Sequence, residues 1–160
     1  MKKRNLFTGF AVATMFLIIA TGCKKDNNNN GGGAGISATI GGKAWQSQSA
    51  TGFHTDGIIT LIGVQVTSTD STAVWLDISD DSQIGQTNPL LNGNNISYDT
   101  KTKGYAGNEL TNGHGTITLS SWDKSAKKIA GTFSGVLYNN TDDSIKVENG
   151  HFNASYIEQP

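Results

Sequence analysis

Two alternating stretches decide the fold class: TITLSSW at 116–122 and IAGTFSGVLY at 129–138, joined by the polar run DKSAKK at 123–128. Apolar and polar side chains alternate in both, which is the period of a half-buried strand. A short polar link between two such strands predicts a hairpin. Gly131 and Gly135 flank Phe133 on one face, and glycines within a strand allow the coiling that closes a barrel.

The same period recurs on both sides of this pair. Ile36 to Ile40 and the run 43–46 flank Gly41-Gly42, a dipeptide typical of hairpin turns. The other predicted strands are Ile58–Val66 after a turn at Asp56-Gly57, Thr72–Ser79, two weaker strands marked by Ile96, Tyr98 and Tyr105, and Ile145–Ile157 with a bulge or tight turn at Asn149-Gly150.

Residues 80–93 break the pattern and predict a long loop with room for a helical turn, anchored by Ile84, Leu90 and Leu91. No segment beyond the N-terminal leader repeats apolar residues at helical spacing. We therefore predict an all-β fold, an antiparallel meander of about eight or nine strands closed as a barrel, with a β-sandwich as the alternative. Residues 36–160 form a single domain, large enough to fold without disulfides or metal.

The N-terminal residues have the three-part layout of a secretory signal: three basic residues at 2–4, an apolar run at 6–20, and small residues. The run is shorter than the roughly 20 residues that span a bilayer. Ala20-Thr21-Gly22-Cys23 resembles a bacterial lipobox. This resemblance implies a signal peptide at 1–22, cleavage between Gly22 and Cys23, and lipidation of Cys23. The alternative is an ordinary signal-peptidase site beside an unpaired thiol.

The segment 23–35 predicts the lipidated cysteine followed by a flexible Asn- and Gly-rich tether. By resemblance to known lipoprotein sorting, Lys24 directly after the cysteine implies an exported protein anchored in the outer membrane. The run Lys24-Lys25-Asp26 only partly matches the surface-export signals of Bacteroidota lipoproteins. Both the periplasmic and the surface-facing leaflet therefore stay open.

Charge argues against a nucleic-acid partner. The chain has 12 Lys and Arg against 13 Asp and Glu, and three of the basic residues lie in the predicted signal peptide. The mature chain would then carry a formal charge of −4, whereas polyanion binding needs clustered positive charge. We expect a monomer that contacts the membrane only through its lipid anchor.

Four blocks of the chain are similar to a Bacteroidota lipoprotein family of unknown function. They are ATIGGKAW at 38–45, GTIT at 115–118, IAGTFS at 129–134 and VENGHF at 147–152, and the resemblance runs from about Ile36 to Tyr156. It implies a small β domain behind a lipobox signal peptide, and it supplies no activity and no catalytic residues.

The residues themselves give no catalytic or metal signature, and we predict no cofactor. His54, His114 and His151 lack the close spacing of zinc ligands, and Ser134 stands in a strand pattern rather than a nucleophile elbow. We expect a non-enzymatic module that binds an unknown protein or glycan. The alternative is a small envelope hydrolase acting on glycan or peptide, which would need converging carboxylates.

Two tryptophans are the candidate ligand contacts. If Val74, Leu76 and Ile78 point inward, Trp75 and Asp77 point outward. The same reasoning places Trp122 in line with Thr116, Thr118 and Ser120, on a polar face. An indole among hydroxyls and a carboxylate could stack on a sugar. The alternative is that these tryptophans cover a second core face.

Two serines are candidate O-glycosylation sites. Asp70-Ser71-Thr72 and Asp143-Ser144-Ile145 resemble the short modification motif of exported Bacteroidota proteins, and both fall in predicted turns.

Overall fold

The computed structural model describes residues 35–108 and 110–160. The predicted signal peptide at 1–22, the predicted cleavage and lipidation site at Gly22 and Cys23, and the predicted tether up to residue 34 lie outside the described residues. The strands are β1 Gly35–Ile40, β2 Lys43–Gln46, β3 Ser49–Thr55, β4 Ile58–Val66, β5 Ser71–Ser79, β6 Thr87–Pro89, β7 Asn95–Asp99, β8 Gly104–Gly107, β9 His114–Asp123, β10 Lys128–Tyr138 and β11 Ser144–Glu158.

The prediction of an all-β fold is confirmed, since the described residues form eleven strands and no helix. In this part of the chain the structure has eleven strands where the sequence predicts about eight or nine, and β3 and the short β6 are the additional ones. Among the described residues there is also no helix of the length and apolarity that crossing a bilayer requires.

Seven strands pair in a closed ring, in the order β11-β3-β4-β5-β7-β8-β10 and back to β11. The ring is closed by short ladders: Tyr138 of β10 pairs with Ala106 of β8, and the last three residues of β11 pair with β3. The β3–β11 ladder is parallel, so the expected wholly antiparallel meander is corrected at this point. The hairpin of β1 and β2 extends the sheet from β11, and β9 with β6 extends it from β10.

Two hairpin turns form as their sequences predict. Gly41 and Gly42 have φ of 55° and 77°, and Asp56 and Gly57 have φ of 51° and 79°. Positive φ at both central residues belongs to the turn that matches the twist of paired strands, and glycine reaches it without a steric penalty.

One face of the sheet, here called the inner face, carries the core. Val74, Leu76 and Ile78 of β5 are at most 1% exposed, as the alternation predicted. Phe133 lies opposite Gly150, and Phe152 lies opposite Gly131. A Cβ at residue 131 would stand 2.6 Å from the Phe152 ring, so glycine is required there for close packing.

Two features of the structure overturn local expectations. Leu90 is buried, but Ile84 and Leu91 are 56% and 44% exposed, so only one of the three expected loop anchors is an anchor. Strand β9 has a bulge, because its register with β10 shifts between Ala130 and Gly131 and leaves Ser120 without an opposite residue.

The strands define two ends of the domain. The near end holds the β3–β4 turn, residues 80–86, the β9–β10 turn and the end of β11. The far end holds the turns at 41–42, 67–70, 100–103 and 139–143. Strand β1 starts at Gly35 opposite Asn153 and runs toward the far end, so the chain enters the described domain on its near-end side.

Candidate functional site

A groove of about 430 Å³ lies on the opposite, outer face of the sheet. We call it the Trp75 groove. It is lined by residues of β5, β7, β8 and β10 and of two loops: Trp75, Asp77, Asn95, Ser97, Asp99, Gly104, Tyr105, Ala106, Thr111, Tyr138 and Asn140. The structure therefore brings two of the predicted contact residues, Trp75 and Asp77, into one groove.

The floor of the groove follows from strand register. Trp75 pairs with Ser97, Ser97 with Ala106, and Ala106 with Tyr138. Paired residues share a face of the sheet, so two aromatic rings stand on one row with two small residues between them. Strands lie about 4.8 Å apart, and three strand spacings put the aromatic residues roughly 14 Å apart along that row.

Asp77 is held in place by two neighbours. Its Oδ1 accepts a hydrogen bond from the Thr60 hydroxyl at 2.7 Å, and its Oδ2 accepts one from Nδ2 of Asn95 at 3.1 Å. The same Nδ2 donates to the Ser97 hydroxyl at 3.1 Å. These two bonds fix the orientation of the Asn95 amide, because the carboxylate of Asp77 can only accept.

Two polar atoms on the residues that line the groove have no hydrogen-bond partner among the described residues. Within residues 35–108 and 110–160, the buried indole Nε1 of Trp75 and the buried Oδ1 of Asn95 have no hydrogen-bond partner. Buried polar atoms are paired in most proteins, so each exception calls for water or a ligand. A donor and an acceptor are thus both unsatisfied on residues that line one groove.

Trp122 lies elsewhere, and its expected position in line with Thr116, Thr118 and Ser120 is corrected. The bulge at Ser120 reverses the alternation, so Trp122 pairs with the fully buried Ile129 and packs against the core. Its Nε1 donates to the Tyr156 hydroxyl at 3.0 Å, and the Lys124 ammonium lies 4.3 Å from the centre of its ring. A second groove of about 600 Å³ is lined by Trp122 and by Asp80, Ser82, Gln83, Ile84, Asp123 and Lys124.

Ion pairs connect charged side chains of the near end, close to this tryptophan. Nδ1 of His54 lies 2.6 Å from Glu158, and its Nε2 lies 3.1 Å from Asp80. Lys127 also pairs with Glu158. The hydrogen bond from Lys127, and after it the one from His54, lowers the pKa of Glu158. We call His54, Trp122, Lys127, Tyr156 and Glu158 the Trp122 corner.

The two candidate O-glycosylation serines lie at the far end. Ser71 and Ser144 are exposed, and each is the first residue of its strand. The loop 100–103 lies between the two turns, since Lys101 donates to the Thr69 carbonyl and Lys103 pairs with Asp143 at 2.7 Å. The hydrogen bond from Lys103 lowers the pKa of Asp143.

Metal-ligating side chains are dispersed in the described part of the chain, where no three His, Cys, Asp or Glu residues gather closely enough to hold an ion. His54 is tied to carboxylates at the near end, while His114 and His151 lie on β9 and β11. Ser134 is an exposed residue within β10.

The fold and the groove define a class: a small all-β domain whose outer face carries an aromatic and polar groove. The chain belongs to the family described as a domain of unknown function (DUF6252), which matches residues 33–154. Neither a curated protein nor a solved structure matches this chain. Membership of a family of unknown function is therefore confirmed, and that family supplies no activity.

Proposed function

We propose that the chain is an exported, lipid-anchored domain of the cell envelope that binds an external ligand in the Trp75 groove without catalysing a reaction. In this proposal the ring of seven strands is a barrel, and its outer wall carries the site. The observation that supports binding is the coincidence of an aromatic row with an unpaired buried donor and acceptor in one groove.

The anchoring half of the proposal rests on the sequence around Cys23 and fits the position of Gly35. An anchor 12 residues before Gly35 would be connected to the domain on its near-end side, through a tether that reaches roughly 17 to 21 Å. The far end is the side away from that attachment. The groove reaches Asn140 in a far-end turn, so its opening would remain accessible to a ligand. We propose the outer membrane as the location.

Cys23→Ser tests the anchor, with Thr21→Ser as the matched control because it leaves the small residues and the thiol in place. We expect the wild type and Thr21→Ser to incorporate labelled fatty acid and to sediment with membranes, and Cys23→Ser to do neither, since acyl chains supply the membrane affinity. Surface biotinylation of intact cells assigns the leaflet. A Cys23→Ser protein that is still acylated would contradict the proposal.

A hydrolase is the second candidate, because two carboxylates, Asp77 and Asp99, line the groove. Asp77 pairs with Asn95, whereas Asp99 pairs with Ala73, four residues before Asp77 in β5. Four residues of strand span roughly 13 Å, which exceeds the roughly 5 to 9.5 Å between the carboxyl groups of glycosidases. The spacing favours binding. Turnover of a neutral oligosaccharide that Asp77→Asn and Asp99→Asn both abolish would favour the hydrolase instead.

O-glycosylation at Ser71 and Ser144 forms part of the proposal for the exported protein. Their exposure at the starts of two strands would leave both hydroxyls open to an enzyme. Intact mass of the protein from its native host should show a glycan increment that Ser71→Ala and Ser144→Ala together remove. A mass equal to that of the lipidated polypeptide alone would contradict it.

A further inference from the structure

We infer that the Trp75 groove takes an uncharged glycan chain several sugar units long. This inference rests on the proposed binding function and specifies its ligand class. It comes from three properties of the groove: its charge, its aromatic row and its unpaired polar atoms.

The charge of the lining selects against anions. Asp77 and Asp99 line the groove, while no Lys, Arg or His of the described residues does. Phosphate, sulfate or uronate groups would meet two like charges, and like charges brought together in a partly desolvated site repel. The hydroxyl groups of an uncharged ligand can donate hydrogen bonds to the same carboxylates.

The aromatic row selects for a chain of flat, partly apolar rings. Trp75 and Tyr138 stand at the two ends of the row Trp75-Ser97-Ala106-Tyr138, and small side chains keep its middle low. A single sugar could reach only one of the two rings. A short oligosaccharide laid along the row could place one ring face on each aromatic side chain, and the hydroxyls at its ring edges would point toward Asp77, Asn95 and Ser97.

The unpaired atoms call for hydroxyl groups. Both atoms are closed to solvent, so a ligand reaches them only when the Trp75 and Asn95 side chains turn toward the groove. A hydroxyl donates one hydrogen bond and accepts others, so a ligand rich in hydroxyls would then match both the Trp75 donor and the Asn95 acceptor. An extended peptide is the competing ligand. Peptides commonly bind β proteins by adding a strand to a free edge, but β5, β7, β8 and β10 are interior strands of the ring with partners on both sides.

Isothermal titration of the full-length acylated protein in detergent tests the inference. The probes are linear hexaoses of glucose in β-1,4, β-1,3 and α-1,4 linkage, β-1,4-mannohexaose, hexagalacturonate as the charged analogue, and an uncharged Ser/Asn hexapeptide. We expect at least one neutral hexaose to bind with Kd below about 1 mM and its monosaccharide to bind at least tenfold more weakly. Hexagalacturonate and the peptide should not bind.

Variants locate the binding. Trp75→Ala should weaken the neutral hexaose at least tenfold and Tyr138→Ala at least threefold, whereas Trp122→Phe, outside the groove, should leave its affinity unchanged. Circular dichroism verifies that each variant is folded. If Trp75→Ala does not fold, Trp75→Phe replaces it in the binding measurement.

Three outcomes would overturn the inference: no neutral hexaose binds below 1 mM, hexagalacturonate or the peptide binds more tightly, or Trp75 variants bind as the wild type does. None of these affects the Cys23 experiment. If the charged or peptide probe binds and Trp75→Ala weakens it, the binding function stands with another ligand class.

Discussion

Trp75 and Trp122 are both partly buried, but they lie on opposite faces of the sheet and their indole nitrogens differ. Trp122 packs against the core and donates to Tyr156. Trp75 stands on the outer face, and its Nε1 has no partner within the described residues. The two tryptophans therefore differ in the hydrogen-bond partner of the indole nitrogen rather than in exposure, and this difference distinguishes a structural role from a binding role. The polar side chains of the Trp122 corner have hydrogen-bond or ion-pair partners. In the Trp75 groove, two buried polar atoms have none among the described residues.

Truncation to alanine should separate the two tryptophans most clearly. Trp122→Ala should lower the free energy of unfolding by about 3 kcal/mol, because it leaves a cavity beside the core and removes the partner of Tyr156. Trp75→Ala should cost about 1 kcal/mol, since its ring covers only the outer face. Urea unfolding followed by far-UV circular dichroism measures both. An equal loss of unfolding free energy in the two variants would contradict the difference proposed between the two tryptophans.

Substitution by phenylalanine should isolate the indole nitrogens. Trp122→Phe should lose about 1 kcal/mol more than Trp75→Phe, because only the first removes a hydrogen bond. Tyr156→Phe supplies the other half of a double-mutant cycle with Trp122→Phe, and we expect a coupling of about 1 kcal/mol. A coupling near zero would mean that the bond from Trp122 to Tyr156 adds nothing to stability.

Acid should weaken the Trp122 corner through Glu158. Its pKa is lowered from 4.5 by Lys127 and His54, so its ionised form stabilises the folded state above that value, and this stability is lost as pH falls through the lower folded pKa. The difference in unfolding free energy between wild type and Glu158→Gln should therefore be largest near neutral pH and shrink below about pH 4.5. The effect should be small, because the pair is exposed and screened.

Lys127→Gln is the control for that titration. In the Glu158→Gln background it should change the pH dependence little, because the partner is already gone. A Glu158→Gln protein with the same acid profile as the wild type would show that this carboxylate does not contribute to the pH dependence.

Local patterns were enough to predict most strands and one face of the groove. Gly41-Gly42 and Asp56-Gly57 specify their hairpins by backbone preference alone, and the alternation in β5 put Trp75 and Asp77 outward correctly. These features depend on neighbours in the sequence. The sequence does not predict strand β3, because Gly52 interrupts its alternation and its partner, the end of β11, is distant in the chain.

The face of Trp122 could not be predicted locally for the same reason. The bulge at Ser120 arises from the register between β9 and β10, and one extra residue moves every later side chain to the other face. The rest of the Trp75 groove, with Asn95, Ser97 and Tyr138, likewise comes from strands whose order in the ring is set by long-range pairing.

The indole N–H resonances of the ¹⁵N-labelled full-length protein report whether the Trp75 groove or the Trp122 corner holds the ligand. Three tryptophans give three resonances, assigned with Trp75→Phe and Trp122→Phe. On addition of the neutral hexaoses, we expect the Trp75 resonance to shift. The resonances of Trp45, which donates to Thr72, and of Trp122, which donates to Tyr156, should stay in place. A shift of the Trp122 resonance with Trp75 unchanged would contradict binding in the Trp75 groove.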